Sequence, residues 1–294
     1  MVRCIRRAIF CMIVAYIALI IRIISNPLAN VLQKKIVQDG MSASSINALS
    51  YSLLALISSP IFLCFDGINI NFVTLCAISG LLGALGNFFL VRALELSELS
   101  VLGPINSYKA VVGMVFAVFL INEYPDLYGV VGVLLIIVGN YFIMDFQRGF
   151  SFKIFFQKGI RYRFYALLLA AIEAVLLKKI IIASTVEVGF AAWACFGALF
   201  SLPIMLVFKS NKKIEVSSLQ IVVKIVVISV LMGFMQLSTN LVFKYIEVGY
   251  ALALFQLSSV LSVLFGMIFF NENNIVRKLL GAVVMAVGGC FIVV

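Results

Sequence analysis

The chain reads as ten apolar runs separated by short polar breaks, and a run of that kind leaves few folds open. A helix crossing the hydrocarbon core of a bilayer, ~30 Å thick, needs about 20 mostly apolar residues. By that yardstick the spans fall at roughly 8–33, 45–65, 72–92, 99–121, 125–144, 164–183, 188–208, 219–241, 249–270 and 276–294. Hydrophobic residues make up 64% of the sequence against about half in an ordinary soluble domain, too many to hide in a water-soluble core. Membrane strands would be shorter and would alternate, which these runs do not. The expected fold is an all-α integral membrane protein.

Charge is scarce and placed accordingly. Only 12% of residues are charged, and most sit where the apolar runs end. Lys and Arg number 22 against 12 acids, but the basic residues form no continuous stripe, so anionic lipid headgroups suit them better than nucleic acid. Cys4, Cys11, Cys64, Cys76, Cys195 and Cys290 show no CxxC spacing, and the chain has no histidine, so no metal or other cofactor is expected. The opening "MVRCIRRAIFCMIVAYIALII" has the basic and apolar regions of a signal peptide, yet the run continues past Arg22 without a small-residue cleavage site. It is therefore read as the first span.

The two halves are related. Adding 149, the difference between positions 98 and 247, carries Glu98 to Glu247, Val111 to Val260, Phe116 to Phe265, Asn122 to Asn271 and Glu123 to Glu272 without a gap. The same shift takes Gly132 to Gly281 and Gly139 to Gly288. Earlier in each half, "KKI" at Lys34 recurs at Lys178, and Pro60 recurs at Pro203. Because each unit holds five helices, an odd number, the second copy enters the membrane from the opposite side. The prediction is ten transmembrane helices as two inverted five-helix repeats, 1–147 and 164–294, joined by a basic linker over 148–163. Inverted repeats place a shared site near the midplane, where rocking of one part against another alternates access.

Four segments carry a family resemblance: "NPLANVLQKK" from Asn26, "RALELSELSVLGPI" from Arg92, "NEYPDLYGVVGVLLIIVGNYFI" from Asn122 and "SSVLSVLFGMIFFNENNIVRKLLGAVVMAVGG" from Ser258. In this order and spacing the chain resembles the drug/metabolite transporter superfamily, specifically its ten-helix EamA-type members, over nearly its whole length. The resemblance implies secondary transport of a small metabolite across the plasma (inner) membrane by a multi-pass protein, with the cargo open. The chain departs from the pattern at Gln256, Leu257, Ser258 and Ser259, where relatives often carry a basic residue before the serine pair.

Polar residues inside the spans are the candidates for substrate contact. Lys109 lies about ten residues into its span, ~15 Å from either face, beyond what a snorkelling lysine covers. It should face a wet cavity, with Asn106 on its helical face. Glu173, the acid of the sixth span, suits proton coupling; pairing with Lys178 or Lys179 is the structural alternative. Arg22, Asn26 and Asn30 recur at plus four on one helix face, beside Pro27, which removes a backbone bond. The shift pairs Asn87 with Gln236, as substrate contacts or as amide links between helices. Asn240, Gln256 and Ser258 complete the polar set, and Trp193, Tyr108, Phe196 and Phe255 could line an aromatic wall. The glycines spaced by seven are read as close-packing stripes, and Glu98, Glu123, Glu247 and Glu272 as solvated ends or caps.

Together these features predict a carrier for a small polar metabolite, zwitterionic or anionic, moved by alternating access with proton coupling or exchange. A flippase for a lipid-linked polar headgroup such as an amino-sugar is the alternative. No paired intramembrane carboxylates or Cys cluster supports an enzyme. The partners are the metabolite and membrane lipids, with monomer and homodimer both compatible. Basic residues concentrate on the linker side, which would place the termini outside, whereas the resemblance implies cytoplasmic termini.

Overall fold

The computed structural model describes residues 2–97, 102, 105–106, 108–143, 157–208, 218–270 and 275–293. Among the described residues there is no strand, and ten helical elements follow one another: α1 (Val2–Gln38), α2 (Ala43–Leu63), α3 (Ile70–Leu96), α4 (Tyr108–Ile121), α5 (Leu127–Ile143), α6 (Lys158–Ala183), α7 (Val186–Val207), α8 (Ser218–Tyr245), α9 and α10 (Ile275–Val293). Helix α9 consists of two arms, Val248–Leu254 and Ser258–Phe270, joined by the 3-10 turn Phe255–Leu257. Helix starts follow local chemistry. Ser42, Asn69 and Thr185 each accept a backbone N–H three residues on, satisfying a donor the helix itself cannot. The acidic Asp126 does the same for Gly129 at 2.7 Å. That bond, then the hydroxyl of Tyr250, holds the Asp126 carboxyl below its usual range.

Polarity is distributed inside out. Leu56, Ile57, Phe119, Leu127 and Val207 are each 70% or more exposed, while Asn47 and Asn240 are fully buried. In water such a surface would be a large apolar patch; against lipid chains it is the expected coat. Six helical segments among the described residues are long and apolar enough to cross a bilayer, including the whole of α9 to Phe269. The shorter α4 is apolar as well. Helix α6 carries Arg163, Glu173 and Lys178, all turned toward protein rather than lipid.

The pairing of helices shows the duplication. Helix α2 packs on α7, α5 on α10 and α4 on α9, while α1 packs on α8 as α3 packs on α6. Exchanging the halves maps every one of these pairs onto itself or onto its mate. The α5–α10 seam shows the inversion directly. A Cβ on Gly132 would lie 2.6 Å from the carbonyl oxygen of Gly288, and one on Gly139 would lie 2.6 Å from that of Gly281, so the two helices run antiparallel. The glycine stripe is therefore a packing device, as read from the sequence.

Two expected spans differ from the observed helices. Helix α6 starts at Lys158, so Lys158, Arg161 and Arg163, which read as linker, belong to a membrane helix. In the fourth span, expected from 99, the described helix α4 begins at Tyr108, after a turn at Asn106 whose carbonyl accepts the Lys109 N–H at 2.9 Å. Gly103 and Pro104 just upstream are the weakest helix formers. Lys109 therefore sits in the first turn of a helix arm rather than at the middle of a continuous helix. The shift of 149 lays this break on the Phe255–Leu257 turn of α9, so both copies interrupt the same helix. Helix α1, by contrast, runs on through Pro27.

Candidate functional site

A cavity occupies the centre of the bundle, where α1, α3, α4, α6 and α8 converge with α2, α7 and the α9 turn. Its volume is about 120 Å³ measured over the positions a water's centre can take. One water needs about 10–15 Å³ on that measure, so the space holds on the order of ten waters or one small solute. Arg22, Asn26, Asn30, Asn87, Asn106, Lys109, Glu173, Trp193 and Gln236, all singled out in the sequence, line it. Toward the linker end its walls are amides and Arg163; toward the opposite end they are Leu177, Phe243, Leu252 and Phe255, all nearly fully buried.

The charged residues interlock. The Glu173 carboxylate accepts a hydrogen bond from the Trp193 indole and attracts Lys109, which also feels Arg22 and Arg163. Glu173 thus has neither of the neighbours that proximity in sequence offered. Lys178 pairs instead with Glu123, and its ammonium donates to the Ile246 carbonyl at 2.9 Å. The Arg22 Nε donates to the Thr239 hydroxyl at 2.8 Å, and its guanidinium lies 4.9 Å from the centre of the Phe255 ring. Its buried Nη1 has no protein partner among the described residues, nor has Oε1 of Gln33. Gly83 allows the close approach of α3 to α6, since a Cβ there would strike the Glu173 carboxylate.

The broken helices meet at the cavity. The Asn106 amide donates to Oε1 of Gln256 at 3.1 Å, joining the α4 turn to the α9 turn. Gln256, Ser258, Ser259 and Ser262 line a smaller polar annex that shares Asn26, Asn30, Asn106 and Arg163 with the main space. Ser258, the counterpart of Lys109, donates to the Phe255 carbonyl at 2.6 Å and closes the turn.

Not every candidate reaches the cavity. Tyr108 is 47% exposed on the outer surface, because the first turn of α4 points Lys109 inward and Tyr108 out. Phe196 packs edge-on against Phe62 instead, 5.7 Å between centroids, and Tyr51, tilted against Trp193 with ring centroids 4.6 Å apart, takes its place in the wall. Asn240 is fully buried behind the wall, donating to the Val186 carbonyl and accepting from Gln236 at 2.9 Å. Asn87 bonds to Asn47, which donates to the Ala84 carbonyl, so these amides link helices as well as lining space. Sequence reasoning missed Arg163, hidden in the run "RYR" at the linker, and Gln33, Tyr51 and Thr239, which carried no charge to mark them.

Glu123 is a cap rather than a solvated end. Asn122 takes a left-handed φ of 56°, which asparagine tolerates, and turns the chain so that Glu123 Oε2 accepts the Val248 N–H at 2.8 Å. It thereby caps α9 of the other half while pairing with Lys178. Burial, then the Glu123 charge beside it, raises the Glu247 carboxyl above its usual range. Glu98 and Glu272 lie outside the described residues.

Against this geometry, the model of the EamA-like transporter family matches residues 13–145 and again 157–294. The chain belongs to the EamA-like transporter family. Its two matches are the two halves that the internal shift relates, and they identify a membrane transporter built of repeats. The fold is similar to that of a solved crystal structure at TM-score 0.72, covering 96% of this chain and 95% of that one at 17% identity. No curated protein matches the chain by sequence.

Proposed function

We propose that this protein is a secondary active carrier, not an enzyme, that moves a small zwitterionic or anionic metabolite across the plasma (inner) membrane by alternating access. The two repeats are the units that move against each other, with the second beginning in α6 at Lys158. The observation that carries the reading is Glu173 beside Lys109 in a central cavity flanked by two interrupted helices. Interrupted helices at a repeat interface are how carriers bring backbone and charge to a solute in a membrane. Lys109, Arg22 and the amides Asn26, Asn30, Asn87, Asn106 and Gln236 supply donors for the cargo. Glu173 exchanges its attraction to Lys109 for a proton when the cargo's anionic group takes the lysine. That competition couples the two movements, or permits exchange of one cargo for another.

The test is uptake by purified protein in liposomes under an imposed pH gradient, with pooled metabolites outside. Gradient-driven accumulation is expected for the wild type, and Glu173→Gln should lose it while retaining exchange between preloaded and external solute. Accumulation that persists in Glu173→Gln removes the carboxylate from the coupling step. Headgroup flipping without uptake of any soluble compound would replace the carrier by a lipid flippase.

A further inference from the structure

We propose that the cargo is a small dianion, such as a dicarboxylate or a phosphate monoester, with Arg163 binding its second anionic group. The inference rests on the carrier reading and narrows it. Among the described residues, Arg22, Lys109 and Arg163 line the cavity with Glu173 as the one acid, leaving an excess of two positive charges. Uncompensated charge at this depth in a membrane is costly, and an ion of the opposite sign relieves it. A neutral zwitterion would leave the excess unchanged; a dianion cancels it.

The positive charges line two connected spaces. Lys109 and Arg22 lie in the main space with Glu173 and Trp193. Arg163 lines both that space and the serine-rich annex, held through Nε by the Leu102 carbonyl at 3.1 Å. The annex sets the Asn30 amide beside the guanidinium, donors suited to carboxylate or phosphate oxygens, while the hydroxyls of Ser259 and Ser262 donate to the Met285 sulfur and the Ser258 carbonyl. At the other site Arg22 is fixed through Nε while its buried Nη1 is left without a protein partner.

Trp193 is the single tryptophan of the chain and forms part of the wall, so its fluorescence reports occupancy without a label. Purified protein is titrated with succinate, inorganic phosphate, acetate and L-alanine at one pH and ionic strength. Succinate or phosphate should reach half-saturation at a concentration at least about tenfold below acetate and alanine, the value of one added charge-assisted contact. Arg163→Gln should abolish that preference, and Arg163→Lys should restore part of it. The proposal is overturned if acetate or alanine binds as tightly as both dianions, if none of the probes binds, or if the preference survives in Arg163→Gln. Succinate preferred over phosphate, or the reverse, identifies which dianion chemistry the site takes. Dianion binding without liposome uptake removes the carrier reading, and with it the dianion's role as cargo, but leaves Arg163 as an anion-binding residue; uptake of a zwitterion without dianion binding overturns the dianion proposal and leaves the carrier reading.

Discussion

Glu123 does three things at once: it ends α4, caps α9 and neutralises Lys178. Both partners are largely buried, so removing one leaves a charge with no solvent to take it. Glu123→Ala should cost roughly 3 kcal/mol, seen as a marked drop in melting temperature in detergent. Pairing it with Lys178→Met should recover much of that loss; a double variant as unstable as the single would refute the ion pair's role. At this scale the sequence was informative where a charge stood alone in an apolar run, as Lys109 and Glu173 do, because the membrane makes every such charge need a reason. It was silent where a cavity-lining charge stood among others. Arg163 is flanked by Arg161 and a basic linker, and nothing local says which arginine turns inward. Tyr108 and Lys109 adjoin in sequence, and only the turn before α4 decides that one faces lipid and the other the cavity.

The helices were largely legible as elements, since twenty apolar residues admit little else, but their interruptions were not. The 3-10 turn at Phe255–Leu257 contains neither glycine nor proline, and tertiary packing sets it. The glycine stripes of α5 and α10 were legible as packing surfaces, because glycines at a spacing of seven face one way on a helix, but that the two stripes meet each other was not. Gly139→Ala places a methyl against the Gly281 carbonyl, where backbone on both sides has little room to yield. A destabilisation of about 1–3 kcal/mol is expected, read as a lower melting temperature with the substrate half-saturation little changed. If the variant melts like wild type, the seam is looser than its geometry indicates. Asn87 and Gln236 illustrate an element-level ambiguity: both line the cavity, Asn87 also links α3 to Asn47 of α2, and Gln236 bonds Asn240 within its own helix α8.

For the whole molecule, the halves interlock rather than sit side by side, and ion pairs tie them at opposite ends. Glu123 of the first half meets Lys178 of the second beyond the apolar lid of Leu177, Phe243 and Leu252. Asp39 of the first meets Lys224 of the second near the other end of the bundle. Alternating access by rocking would loosen these ties in turn. The duplication was readable from one constant shift, whereas the interlocking was not, because a shift relates residues without saying which helices touch.

The Asn106–Gln256 bond has a consequence for how the two sides of the membrane are served. Its image under the repeat would join Phe255 to Ser107, a pair that cannot make the same amide contact, just as Lys109 has only a serine opposite it. The frame is a palindrome, but the chemistry written on it reads differently in each direction. Gradients alone fix where net flow stops, yet the waiting states at the two faces need not have equal free energy. Half-saturation concentrations measured from inside and outside oriented vesicles should therefore differ, and equal values at both faces would mean that the asymmetric amide and lysine weigh nothing in the cycle.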